Sequence, residues 1–112
     1  MIIYHNPRCR KSRETLEIIR SKGVEPEIVE YLKEPLSVDQ LTDLIDKLGI
    51  DPSELLRKGE AIYKEEFKGK ELSEEEWIYA MAEYPVLMER PVVVKGNKAV
   101  LGRPPENVNE LL

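Results

Sequence analysis

Ten residues near the C-terminal end, Val92-Val93-Val94-Lys95-Gly96-Asn97-Lys98-Ala99-Val100-Leu101, constrain the fold more than any other stretch. Two apolar runs rich in valine flank Gly96-Asn97, a two-residue connection that turns a chain back on itself as an antiparallel hairpin. A sheet is therefore expected, and the other elements must be built around it. At the opposite end, Ile2 to Tyr4 is a short apolar run followed by His5-Asn6-Pro7-Arg8, a turn in which Pro7 fixes its own φ and restricts Asn6. From Cys9 onward Thr15, Leu16, Ile18 and Ile19 fall at helical spacing, and Lys22 with Gly23 supplies a cationic last turn and a glycine stop. A helix from about Cys9 to Lys22 is predicted. Ile28, Val29 and Tyr31 then form a second strand, which makes strand-helix-strand, the parallel crossover unit of an α/β fold.

The middle of the chain reads as helical. Ser37 with Gln40 is a capping box ahead of Leu41, Leu44, Ile45 and Leu48, and Gly49 ends that helix. Asp51-Pro52 restarts one, and Ser73 with Glu76 caps another carrying Trp77, Ile78, Ala80 and Met81. Helix gives way at Tyr84-Pro85, while Gly102-Arg103-Pro104-Pro105 breaks the last strand ahead of a short closing helix with Val108, Leu111 and Leu112. The predicted order is β-α-β, helices, β-β-α. With 112 residues and no repeat or linker, residues 1–112 are expected to form one domain.

Charge narrows the partners. A formal net charge of −5 disfavours a general nucleic-acid binder, because most of the surface would repel a phosphate backbone. The N-terminal segment has the opposite sign: Arg8, Arg10, Lys11 and Arg13 occur before any acidic residue. Cations are the wrong sign for a helix N-terminus, where the macrodipole favours acids, so this patch invites an anion. No apolar run approaches the length that spans a bilayer, and the first residues lack the pattern of a secretory signal. A cytoplasmic protein without a membrane partner is expected.

Cys9 is the only cysteine, which rules out an internal disulfide and any cluster of cysteine metal ligands. A lone cysteine can be a small buried hydrophobe. Its setting here, at the start of a helix and among basic residues, instead favours a reactive thiolate with a lowered pKa. Ser12 stands three residues on and is placed to donate a hydrogen bond to the sulfur. His5, the only histidine, either shapes the turn or tunes the thiol. Arg57, Arg90 and Arg103 lie outside the first helix, and the last two precede proline, which projects them from an extended backbone. Singly, each reads as a surface ion pair; converging on Cys9, they would form a guanidinium cradle for a tetrahedral oxyanion.

His5-Asn6-Pro7-Arg8-Cys9, Ser12-Arg13, Leu56-Arg57-Lys58, Glu89-Arg90-Pro91-Val92-Val93-Val94 and Gly102-Arg103-Pro104 together resemble the glutaredoxin-dependent arsenate reductase family, over nearly the whole chain. The resemblance implies a thioredoxin-like fold with a mixed four-stranded sheet and a helical insertion between the second and third strands. It further implies a cis-proline loop at Arg90-Pro91 beside the cysteine. In this family the cysteine attacks arsenate, glutathione attacks the adduct, and glutaredoxin resolves the mixed disulfide as arsenite leaves. By resemblance Cys9 is the nucleophile, His5 assists it, Arg57, Arg90 and Arg103 bind the oxyanion, and Ser12, Asn6 and Pro91 support the site. Glutathione is then a co-substrate and glutaredoxin a partner, no cofactor or metal is bound, and a monomer is expected. Two other readings share the fold: a glutathione-dependent thiol reductase, and a redox regulator like Spx that binds RNA polymerase. The regulator lacks support at Ser12, which stands where a switch would need a second cysteine.

Overall fold

The computed structural model describes residues 1–112. The chain forms two compact units, one from Met1–Glu34 with Arg90–Leu112 and the other from Pro35–Glu89. The first holds β1 (Ile2–Tyr4), α1 (Arg10–Ser21), β2 (Glu27–Val29), β3 (Val92–Lys95), β4 (Lys98–Leu101) and a closing 3₁₀ helix, Pro105–Leu111. Its four-stranded sheet has the order β2-β1-β3-β4.

Each pairing follows from its connection. β1 and β2 are joined through α1 and run parallel, with Ile3 opposite Ile28, as a helical crossover demands. β3 and β4 are antiparallel, with Val93 opposite Val100, and Gly96 takes φ 62° at the first turn position, where a side chain would be strained. β1 also pairs antiparallel with β3, setting Ile3 against Val93, so the sheet is mixed. Ile3 and Val93 are fully buried with Leu16, Ile19, Val108 and Leu111 in one core. α1 turns Ser12, Thr15, Leu16 and Ile19 inward at helical spacing. Burying an aliphatic side chain of this size stabilises the fold by about 1.5–3 kcal/mol, so this shared stripe is what docks α1 on the sheet. The predicted second strand is shorter than expected: it ends at Val29, and Tyr31 is buried in the turn that follows, where Lys33 N–H bonds to the Glu30 carbonyl.

The Pro35–Glu89 unit contains α2 (Val38–Leu48), α3 (Glu74–Glu83), 3₁₀ turns at Pro52–Leu55 and Pro85–Leu87, and a wide π turn at Tyr63–Phe67. Both predicted capping boxes are present, with Gln40 N–H bonding to Ser37 Oγ and Glu76 N–H to Ser73 Oγ, and Gly49 ends α2 at φ 68°. The helix predicted after Asp51 is one 3₁₀ turn, because Leu56 swings into an extended conformation and bridges Met88. α3 packs on α2 and on the two 3₁₀ turns, and Trp77 stacks with Tyr63 and meets Phe67 at 5.8 Å. No helix is long and apolar enough to cross a membrane.

Gly102 fixes the distance between α1 and the loops around the sheet. A β-carbon there would lie 2.7 Å from both Pro91 Cγ and Thr15 Oγ1, far inside van der Waals contact. Thr15 is fully buried and its hydroxyl donates to the Lys11 carbonyl at 2.8 Å, so it cannot easily retreat. Gly102 N–H also bonds to the Pro91 carbonyl at 2.9 Å. Gly102→Ala should therefore cost about 1–3 kcal/mol of stability, as overpacking does elsewhere. Urea unfolding checks this, and an unchanged midpoint would mean that the loop gives way freely.

Candidate active site

The turn before α1 is built by its own backbone. The Asn6 carbonyl accepts the Cys9 N–H at 3.0 Å, and Asn6 Oδ1 accepts the Arg8 N–H at 3.0 Å, so asparagine closes the loop on both sides of Pro7. Cys9 is the N-cap residue, with an extended backbone at φ −93° and ψ 122°. Its carbonyl accepts the Arg13 N–H, which starts the helix and leaves the N–H groups of the first turn without helical partners.

Those N–H groups act on the sulfur. Burial pushes the Cys9 thiol up, but the backbone N–H of Ser12, the guanidinium of Arg90 and the backbone N–H of Lys11 together hold its pKa below the usual thiol value. Arg90 contributes both a hydrogen bond and its charge. Two expectations change here. The hydroxyl of Ser12 does not serve the sulfur: it accepts the Asn6 N–H at 3.1 Å and pairs with His5 Nδ1 at 2.6 Å, so Ser12 reaches Cys9 through its backbone. Nor does the N-terminal run of cations supply the charge. Arg10 pairs with Glu14 at 2.8 Å, and Arg13 donates to the Pro7 carbonyl at 2.9 Å, while the cation at the sulfur comes from Arg90.

His5 lies under the turn. It is buried, its N–H bonds to the Val29 carbonyl at 2.8 Å, and burial lowers its pKa against the opposing pull of Glu30. A neutral imidazole is thus favoured. His5 contacts the Ser12 hydroxyl, and Ser12 in turn supplies an N–H to Cys9, so the histidine positions the helix start. The Arg90-Pro91 and Arg103-Pro104 peptides are both cis, and Arg103 Nη1 donates to the Arg90 carbonyl at 3.2 Å. With Gly102 bonded to Pro91, these contacts bring Arg90, Pro91 and Arg103 together at the ends of β3 and β4. Arg57 belongs to the Pro35–Glu89 unit, where its N–H bonds to the Leu87 carbonyl at 2.7 Å and its Nε to Glu60 at 3.0 Å. Glu89 lies 4.0 Å from Arg57 Nη1. Thr15 and Gly102 also shape the site, and their only sequence signals are a small polar residue on the buried stripe of α1 and a glycine before Arg103.

Arg90 is the group whose loss the thiol should feel. A pH titration of the ultraviolet thiolate absorbance should place Cys9 below an ordinary thiol, and Arg90→Ala should raise the midpoint. A midpoint that stays in place would remove Arg90 from the sulfur's surroundings.

Residues 4–111 match the ArsC family. The chain is 52% identical to YfgD, an uncharacterized protein of Escherichia coli strain K12, over 98% of this chain and 94% of that one. It is 45% identical to an arsenate reductase of Haemophilus influenzae, over 100% of this chain and 98% of that one. The structure of an arsenate reductase from Vibrio cholerae superposes with a TM-score of 0.95 at 44% identity, covering 99% of this chain and 96% of that one. The fold is the thioredoxin-like fold of those reductases, and the chain belongs to the ArsC family.

Proposed function

We propose that this protein is a cytoplasmic, monomeric arsenate reductase in which residues 1–112 work as one domain, with glutathione as co-substrate and glutaredoxin as partner. The observation that carries the reading is Cys9: a thiol whose pKa is held below the usual thiol value at a helix start, with Arg90 beside it and Arg103 tied to the Arg90 carbonyl. The relatives named arsenate reductase favour it over a general thiol reductase or a transcriptional regulator.

The steps follow from the charges. Arg90 and Arg103 hold the oxyanion through paired N–H donors, and their charge offsets that of the incoming thiolate; Arg57 counts as an oxyanion-binding arginine on the family resemblance alone. Cys9 attacks arsenic, a sulfur–arsenic bond forms, and an oxygen of arsenate leaves as water after taking up protons. A glutathione thiolate then attacks the Cys9 sulfur. A disulfide forms, the sulfur–arsenic bond breaks with its electron pair on arsenic, and As(V) becomes As(III) as arsenite. A glutaredoxin thiolate next attacks the glutathione sulfur and releases Cys9 as thiolate. A chain with one cysteine needs these external thiols, because it has no second sulfur to close an internal disulfide. His5 and Ser12 keep the helix start in place for the first attack, Asn6 holds the turn, and Pro91 keeps Arg90 against α1.

The test is arsenite formation with arsenate, glutathione, glutaredoxin and a reductase that regenerates glutathione. Cys9→Ser should fall to the uncatalysed background, since the nucleophile is gone. Arg90→Ala and Arg103→Ala should each lose about 100-fold in kcat/KM, the scale of removing one donor from a developing oxyanion. Arg57→Ala should lose activity in the same direction. Full turnover by Cys9→Ser would end the reading, and unaltered kinetics in an arginine variant would take that arginine out of the cradle.

A further inference from the structure

A cleft of about 280 Å³ opens on the side of the Cys9 turn, lined by His5, Asn6, Pro7 and Arg8 from the turn and by Glu30, Leu32 and Lys33 from the segment after β2. One lining residue is bonded directly to the nucleophile's backbone, because the Asn6 carbonyl accepts the Cys9 N–H. Leu32 is 44% exposed, an apolar side chain at the mouth of the cleft. Lys33 Nζ lies 3.6 Å from Glu30 Oε1, and the side chains are 78% and 38% exposed, so both heads face solvent. Arg8 is exposed, and its backbone N–H, rather than its guanidinium, closes the turn.

This lining has two cations, one anion and an apolar wall. An α-amino-acid end matches it: the carboxylate meets Arg8 and Lys33, the ammonium meets Glu30, and the methylenes lie on Leu32 and Pro7. The N-terminus of an ordinary peptide presents the ammonium but has spent its carboxyl group in an amide. A γ-glutamyl linkage leaves ammonium and carboxylate together on one carbon, several bonds away from the thiol. The cleft lies at the lower end of small-ligand pocket sizes, which suits one arm of a tripeptide rather than a whole protein.

We propose that the cleft is the subsite for the γ-glutamyl end of the thiol that attacks the Cys9 sulfur, with Arg8, Lys33 and Glu30 as its specificity residues. This rests on the reading above in one respect only, that an external thiol resolves Cys9. The step is the disulfide exchange already described, with the new sulfur–sulfur bond formed at Cys9 and the leaving group departing with its electron pair.

The test leaves arsenate out. Cys9 is converted to its mixed disulfide with thionitrobenzoate, and release of that chromophore is followed with γ-glutamylcysteine and with N-acetylcysteine. These thiols have the same net charge at neutral pH, and only the first has a free amino-acid end. The protein should prefer γ-glutamylcysteine, and Lys33→Glu and Arg8→Ala should each cut that preference about fivefold, as loss of one exposed ion pair allows. Equal rates with the two thiols, or a preference unchanged in both variants, would overturn the subsite while leaving Cys9 as a thiol resolved from outside. Failure of both thiols to displace the chromophore would instead defeat the reductase reading itself.

Discussion

The site depends on how closely Gly102 approaches Thr15 and Pro91. A hydrogen in place of a side chain lets β4's end lie against α1, and the Gly102 N–H then bonds to the Pro91 carbonyl. Arg103 follows Gly102, and its guanidinium reaches the Arg90 carbonyl, so one contact aligns two arginines that are 13 residues apart in the chain. Arg90 thereby faces the start of α1, where it supplies the cation that the Cys9 thiolate needs. Packing here sets electrostatics. The gap between helix and loop decides how far a positive charge stands from sulfur, and that distance decides how much of the thiol is ionised.

Beneath the turn a second network works through neutral groups. His5, Ser12 and the Asn6 N–H share one buried hydroxyl, with no formal charge required. Burial of the imidazole favours its uncharged form, so the network needs no counter-ion. The division of labour is spatial: charge approaches Cys9 from the β3 loop, while orientation comes from below.

Most of the local structure was readable in the chain. The capping boxes at Ser37 and Ser73, the glycine stop at Gly49 and the Gly96-Asn97 hairpin are signals contained within four residues, and each forms as expected. Signals that depend on a distant partner were harder. Asp51-Pro52 starts a helix by local rules, yet Leu56 is drawn into a bridge with Met88, which no nearby residue foretells. The run of cations around Cys9 looked like the source of its acidity, but local carboxylate and carbonyl groups take up Arg10 and Arg13. Proximity in sequence points the Ser12 hydroxyl at the sulfur, whereas the fold gives it a histidine seven residues away. Motif resemblance marked Arg90 and Arg103; their hydrogen bond to one another belongs to tertiary structure.

The pairing of β1 with β3 carries a kinetic consequence. Tyr4 lies opposite Val92, so the central strands meet only after the chain has closed a loop that takes up most of its length. Closing so long a loop is entropically costly and gains nothing until the strands are in register. The bonds that join Arg57 to Leu87 and Glu89 to Leu55 lie inside that loop, and forming them first shortens the free chain left to close. The inserted helices thus favour an assembly order in which they form early and the sheet, with the thiol on the turn that follows β1, closes last. Pulse-labelled amide exchange during refolding reads this order directly: protection in α2 and α3 preceding β1 and β3 would establish it, and the reverse would refute it.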